Sequence, residues 1–130
     1  MVKEETMPRV VHFEVPAENP ERVMKFYGEV FGWTFQKWDG PTDYWLVMTG
    51  ATDQPGIDGG IMARHEGEVG HINSIDVPSV DDFVARITAH GGRLVVPRMT
   101  IPGVGYMAYC HDTEGNLFGV FQYDTSATQE

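Results

Sequence analysis

The stretch Ile101–Gln122, I-P-G-V-G-Y-M-A-Y-C-H-D-T-E-G-N-L-F-G-V-F-Q, decides how this chain is read. Gly105 to His111 is rich in aromatic and small apolar residues, and Leu117 to Gln122 resumes an apolar run. Between them, Asp112-Thr113-Glu114-Gly115-Asn116 has the composition of a tight turn. The two runs are therefore predicted to be paired strands. A hairpin alone does not persist in water, so a second layer must cover it.

Working outward from the hairpin, Arg93 to Val96 reads as a strand. Before it, Ser79 is a helix N-cap with Asp82 three residues on, and Val80, Phe83, Val84 and Ile87 share one helical face that Gly91-Gly92 closes. His71 to Val77 is a further strand. The first half of the chain shows the same order. Arg9 to Val15 alternates around Val11, Phe13 and Val15 as a half-buried strand does. Asn19 and Pro20 start a helix whose apolar face is Val23, Phe26, Tyr27, Val30 and Phe31, and Gly32 ends it. Glu21 and Lys25 stand in the favourable i, i+4 order on its other face. Strands follow at Trp33–Trp38, Tyr44–Thr49 and Ile57–Ala63, parted by Asp39-Gly40-Pro41 and Asp53-Gln54-Pro55-Gly56.

The two halves align at a shift of sixty positions: Asn19 with Ser79, Val23 with Phe83, Tyr27 with Ile87, Gly32 with Gly92, Ile57 with Leu117. Each half is a βαβββ unit too small to bury its own sheet. The expectation is an α+β fold, one domain over residues 1–130 with repeats at about 9–63 and 70–123. The repeats would form one curved eight-stranded mixed sheet with a central cavity and helices outside. Met1–Pro8 and Asp124–Glu130 are polar tails, expected to fray.

Composition narrows the function classes. Apolar residues make up 42% of the 130 and aromatics 12%, enough for a packed core. Asp and Glu number 19 against 9 Lys and Arg, a formal charge of −10 that argues against nucleic acid and anionic membrane surfaces. With Cys110 as the lone cysteine no intrachain disulfide forms, as suits a reducing cytoplasm. The N-terminus has no apolar signal region, and no run approaches the ~18 apolar residues of a membrane span.

The pattern resembles the vicinal oxygen chelate superfamily of glyoxalase I, bleomycin and fosfomycin resistance proteins and extradiol dioxygenases, over roughly residues 9 to 123. The marks are His12-Phe13-Glu14-Val15, Phe26-Tyr27 with Phe31-Gly32-Trp33, and Asp112-Thr113-Glu114-Gly115-Asn116. The branch it looks most like is the uncharacterised one related to lactoylglutathione lyase. In metal-bearing members the resemblance places ligands on the first and fourth strands of each unit, here His12, Gly59, Ile72 and Gly119. His12 alone of these can bind a metal, and one imidazole does not hold a divalent ion. The cofactor expectation is therefore none, with a divalent metal disfavoured. Asp58 and His71 stand beside ligand positions, and strand alternation predicts that both face the helix layer or solvent. The resemblance also implies a homodimer.

The remaining candidates follow from the predicted cavity. His12 and, two residues on, Glu14 face inward as general base and orienting carboxylate, or as polar handles for a ligand; the bland reading is a hydrogen-bonded remnant. Trp45, Tyr106 and Phe121 line the cavity or serve packing. Ser74 takes the repeat position of Glu14 as a pocket-wall residue. Gly59 and Gly119 let a ligand approach the backbone, or permit sheet curvature. Cys110 reads as a buried inert thiol, His90 as a helix C-terminal residue, His111 as exposed, and Ile101–Gly105 as a lid beside the cavity mouth. The function expected is metal-free binding of a small, partly apolar or aromatic molecule. The alternative is a metal-dependent or acid/base lyase, isomerase or dioxygenase.

Overall fold

Asn19 shows how local chemistry sets the first element boundary. Its Oδ1 accepts from the Arg22 amide at 3.1 Å, Pro20 follows at the first helical position, and Gly32 ends the helix left-handed at φ 77° with its N–H on the Gly28 carbonyl. In the computed structural model, which describes residues 7–65 and 70–128, β1 (Arg9–Ala17) leads into this helix, α1 (Pro20–Phe31). β2 (Thr34–Lys37), β3 (Tyr44–Met48) and β4 (Gly59–Ala63) complete the first βαβββ repeat. The second runs β5 (Ile72–Asp76), α2 (Val80–Ala89), β6 (Arg93–Ile101), β7 (Gly105–His111) and β8 (Leu117–Tyr123). All eight strands belong to one mixed sheet in the order β2-β3-β4-β1-β5-β8-β7-β6, as the α+β expectation requires.

The chain forms two compact units: an N-terminal unit of His12–Ile72, and a C-terminal unit from Asn73 onward that includes the first residues of β1. In the N-terminal unit β1 runs parallel to β4, while β3 is antiparallel to both β2 and β4. Val15, Ala17, Val47 and Ile61 form its buried core, with Phe13, Val23, Met24, Tyr27, Trp33, Phe35 and Trp45 packed against it. Odd-numbered residues of β1 thus face α1, and even-numbered ones face the other way. Tyr27 stacks on Trp33 with ring centroids 4.8 Å apart. The outer part of the α1 apolar face stays open, with Phe26 54%, Val30 57% and Phe31 60% exposed. Lys25 pairs with Glu29 at 2.6 Å rather than with Glu21, and both are well exposed, so little stability rests on the exchange.

In the C-terminal unit β5 is parallel to β8, and β7 is antiparallel to β8 and β6. Val77, Val80, Ala108 and Val120 form the core with Ile75, Phe83, Val84, Ile87, Tyr106 and Phe118 packed around it. Ser79 Oγ caps α2 by accepting from the Asp82 amide at 3.1 Å. The Asp112 turn is built as its composition demands: Oδ1 accepts from the Glu114 and Asn116 amides, both at 2.9 Å, and Gly115 takes φ 83°. β6 is longer than Arg93–Val96, reaching Ile101 through two register shifts that accommodate Pro97, which has no N–H to give a ladder.

Two expectations change here. The tail from Asp124 is docked where it is described: Asp124 N donates to the Val104 carbonyl, Gly103 N donates to the Ala127 carbonyl at 3.0 Å, and Ala127 is buried. The same bonds fasten the Ile101–Gly105 turn, which was expected to act as a lid. Residues 1–6, part of the other expected tail, lie outside the described residues.

Candidate functional site

Three polar side chains converge on the face of the N-terminal sheet opposite α1. His12 and Glu14 stand two apart on β1, and Tyr44 begins β3. The Tyr44 hydroxyl donates to Glu14 Oε2 at 2.9 Å and lies 2.8 Å from His12 Nε2. Glu14 is 4% exposed, so the carboxylate is held inside the fold by charge-assisted bonding rather than by solvent. Burial holds the His12 imidazole below its ordinary value of 6.5, although the charges of Glu14 and Asp58 pull it upward. A depressed value keeps the ring neutral at neutral pH, with a lone pair on one nitrogen.

What gives Tyr44 its place is Gly60. The β1–β4 register pairs Glu14 with Gly60 and Phe13 with Gly59. A Cβ on Gly60 would fall on the Tyr44 hydroxyl and ring. The phenol therefore lies directly over the Gly60 backbone, in the space any other residue type would claim. Trp38 meets the Tyr44 ring edge-on at 6.1 Å, and its amide donates to the Tyr44 carbonyl at 2.8 Å.

This register corrects the expectation for Gly59. Gly59 shares the Phe13 face toward α1, and a Cβ there would meet the Phe13 carbonyl and ring. The repeat offset is sixty residues between Glu14 and Ser74 but fifty-nine between Gly60 and Gly119, because the paired residues are Glu14–Gly60 and Ser74–Gly119. A slip of one residue exchanges the two faces of a strand. Asp58 is exposed, meeting the solvent arm of its expectation, while strand alternation from the same register sets it on the His12 side, where its charge raises the imidazole. The Asp58 carboxylate is held by the Thr49 amide at 2.9 Å and hydroxyl at 3.2 Å. His71 stacks on Phe13 at 6.3 Å, on the helix side as expected.

Trp45 and Tyr106 are also on the helix faces rather than the inward ones. Trp45 packs on the Val15–Ile61 cluster with Lys37 Nζ 5.7 Å above its ring. Tyr106 packs beside α2 with the Arg98 guanidinium 5.0 Å away. Tyr44, one strand position from Trp45, occupies the face opposite α1, and Tyr109, which pairs with Gly119, occupies the face opposite α2 in its own unit. Alternation in Tyr44-Trp45-Leu46 shows that only one of the two aromatics faces α1, but not which.

In the C-terminal unit Ser74, Gly119 and Phe121 lie on the face opposite α2, as expected. Ser74 pairs with Gly119, and Phe121 pairs with Met107. A Cβ on Gly119 would meet Met107 at 2.9 Å, Ser74 Oγ at 3.3 Å and Tyr109 at 3.5 Å. Ser74 is 2% exposed, and its Oγ has no hydrogen-bond partner among the described residues. Ile72 is buried and alternates onto the same side of β5 as Ser74. Cys110 is fully buried, which pushes its thiol upward and fits an inert role. His111 is half-buried rather than exposed, and its Nδ1 accepts from Arg93 at 2.7 Å. His90 caps α2, its Nδ1 2.8 Å from the Arg86 carbonyl.

The donor set does not fit a divalent metal. Among the described residues no three His, Cys, Asp or Glu side chains come together. Near His12, Glu14 is engaged by Tyr44, Asp58 by Thr49, and the fourth-strand position beside Glu14 is Gly60. The arrangement can instead accept or donate protons and hydrogen bonds through His12.

Comparison with known proteins places this geometry. Residues 9–120 match the model of the Glyoxalase/Bleomycin resistance protein/Dioxygenase superfamily. A glyoxylase-like domain-containing protein of Didymella fabae is 33% identical over 113 residues, covering 82% of this chain and 88% of that protein. Among solved structures, methylmalonyl-CoA epimerase from Mycobacterium tuberculosis is 16% identical with a TM-score of 0.64, over 88% of this chain and 87% of that one. The hypothetical protein BH1468 from Bacillus halodurans C-125 is 10% identical with a TM-score of 0.68, over 95% and 100%. Likeness at these identities speaks to the fold. With its paired βαβββ repeats and its match over residues 9–120, the chain belongs to the Glyoxalase/Bleomycin resistance protein/Dioxygenase superfamily.

Proposed function

We propose that this protein binds a small, partly apolar or aromatic molecule without a metal, on the sheet face that carries His12, Glu14 and Tyr44. The observation that carries the reading is the His12–Tyr44–Glu14 hydrogen-bonded chain, opposite the helix-packed core of its unit. Polar groups converging among aromatic neighbours are what small-molecule sites share. Trp38 and Tyr44 supply aromatic surface, and His12 and Glu14 supply polarity. On the C-terminal unit's own helix-free face, Ser74, Gly119 and Phe121 are proposed as ligand contacts. Homodimerisation belongs to the same proposal, and light scattering tests it.

The test of binding is a thermal-shift screen of aromatic and heterocyclic compounds, with elemental analysis of the purified protein. Hits that shift wild type and fail on His12→Ala support the reading. A stoichiometric metal that disappears in His12→Ala overturns its metal-free part, and a screen without hits overturns its binding part.

A second reading, acid/base catalysis by an isomerase or lyase, is favoured by one observation: the chain of hydrogen bonds from a neutral imidazole to a buried carboxylate is a path for a proton. Several structural neighbours are methylmalonyl-CoA epimerases. Deuterium entering methylmalonyl-CoA in D2O with wild type, but not with His12→Ala, would support it. No incorporation removes that substrate.

A further inference from the structure

The direction of the hydrogen bonds around Tyr44 determines what His12 offers to a ligand. A phenol carries one proton. Tyr44 gives it to Glu14 Oε2 at 2.9 Å, so toward His12, 2.8 Å away, the same oxygen must accept. The neutral His12 ring is then protonated on Nε2 and carries its lone pair on Nδ1. No described residue hydrogen-bonds to Nδ1. Two carboxylates act on the ring as a whole: Glu14, linked to it through Tyr44, and Asp58. Gly60 supports the arrangement, since any side chain there would displace the phenol.

We propose that Tyr44 is a positioning residue that locks His12 in the Nε2–H tautomer, so that the ligand is a neutral hydrogen-bond donor on an aromatic scaffold, delivering an O–H or N–H to Nδ1. The proposal rests on the reading that this face binds a small molecule, and it adds the polarity of the recognition. An aromatic carboxylate brings an acceptor to an acceptor. A phenol or an aromatic amide brings the matching proton. Tyr44 thereby acts as a selector through an atom it does not itself present to the ligand.

Two measurements on the full chain test this separately. Nitrogen NMR of selectively labelled histidine, on the protein without ligand, reads the tautomer directly. The expected result is a protonated Nε2 and an unprotonated Nδ1 on His12, with both tautomers populated in Tyr44→Phe while the amide spectrum stays folded. A protonated Nδ1 in wild type overturns the proposal whatever the protein binds. The second measurement titrates 4-methylphenol against 4-methylbenzoate, matched in shape and opposite in polarity, following His12. The phenol is expected to saturate and to bind at least about tenfold more tightly, the equivalent of one matched hydrogen bond. Tyr44→Phe should narrow that ratio toward one. Equal binding, or a preference for the benzoate, overturns the selector role. Binding of neither, with the expected tautomer, overturns the binding reading and the ligand half of the proposal with it.

Discussion

At Gly60 a single methyl group decides whether Tyr44 stays in place. Gly60→Ala is expected to expel the phenol from the β4 backbone, break its hydrogen bonds to His12 and Glu14, and cost about 1–3 kcal/mol as an overpacked site does. Denaturant unfolding measures the cost, and Tyr44→Phe alone should be milder. Ser74 gives the opposite expectation. Its buried hydroxyl has no partner among the described residues, so Ser74→Ala should leave stability unchanged or raise it by up to about 1 kcal/mol, while weakening any ligand that the hydroxyl meets. His12 sets a pH dependence. Its folded value is depressed below 6.5, so on acidification the unfolded chain takes the proton first, and stability falls as pH drops from 6.5 toward the folded value. Melting temperatures between about pH 7.5 and pH 5.5 should fall more steeply in wild type than in His12→Gln. His12 and Glu14 were legible in the sequence because their alternation around Phe13 is local. Tyr44 and Gly60 were not, because their face depends on the β1–β4 register, which the intervening loops fix and no local pattern records.

Among the elements, α1 and the Asp112 turn carry their instructions in the chain itself. Asn19, Pro20 and Gly32 were sufficient to place the helix, and Asn19→Ala is expected to cost about 1 kcal/mol in thermal or chemical unfolding. At the β7–β8 turn, backbone donation from Asn116, its side-chain amide and the Glu114 amide hold the Asp112 carboxyl below its usual range. A depressed carboxylate contributes stability above its unfolded value of 3.8 and loses it as pH falls through the folded one. Asp112→Ala should therefore flatten the acid limb of the stability profile, and loosen the Gly115 and Asn116 amides to hydrogen exchange. β6 was only half legible: Pro97 reads as the end of a strand, whereas two register shifts carry the pairing past it.

For the whole chain, the paired repeat was legible because each βαβββ unit announces itself twice, by caps, alternation and turn residues. The docking of the C-terminal segment was not. It is made by backbone groups, Gly103 N to the Ala127 carbonyl and Asp124 N to the Val104 carbonyl, which have no side-chain signature. Truncation after Tyr123 is expected to expose the Ile101–Gly105 turn and lower the melting temperature. Protection of the Gly103 amide from exchange provides the site-specific readout.

The parallel pairing of β1 with β4 has a kinetic consequence. Phe13 meets Gly59 only after α1, β2 and β3 have been laid down between them, whereas His111 meets Leu117 across a turn. Loop-closure entropy makes the first contact slow and the second fast. The β7–β8 hairpin should thus gain structure early in refolding, while Glu14 and Gly60 come together late. His12, Tyr44 and Glu14 would then be assembled by the last contacts to form. A molecule that binds as proposed above, added during refolding, is expected to speed the final step, capturing chains as they close, and to leave the early hairpin phase unchanged.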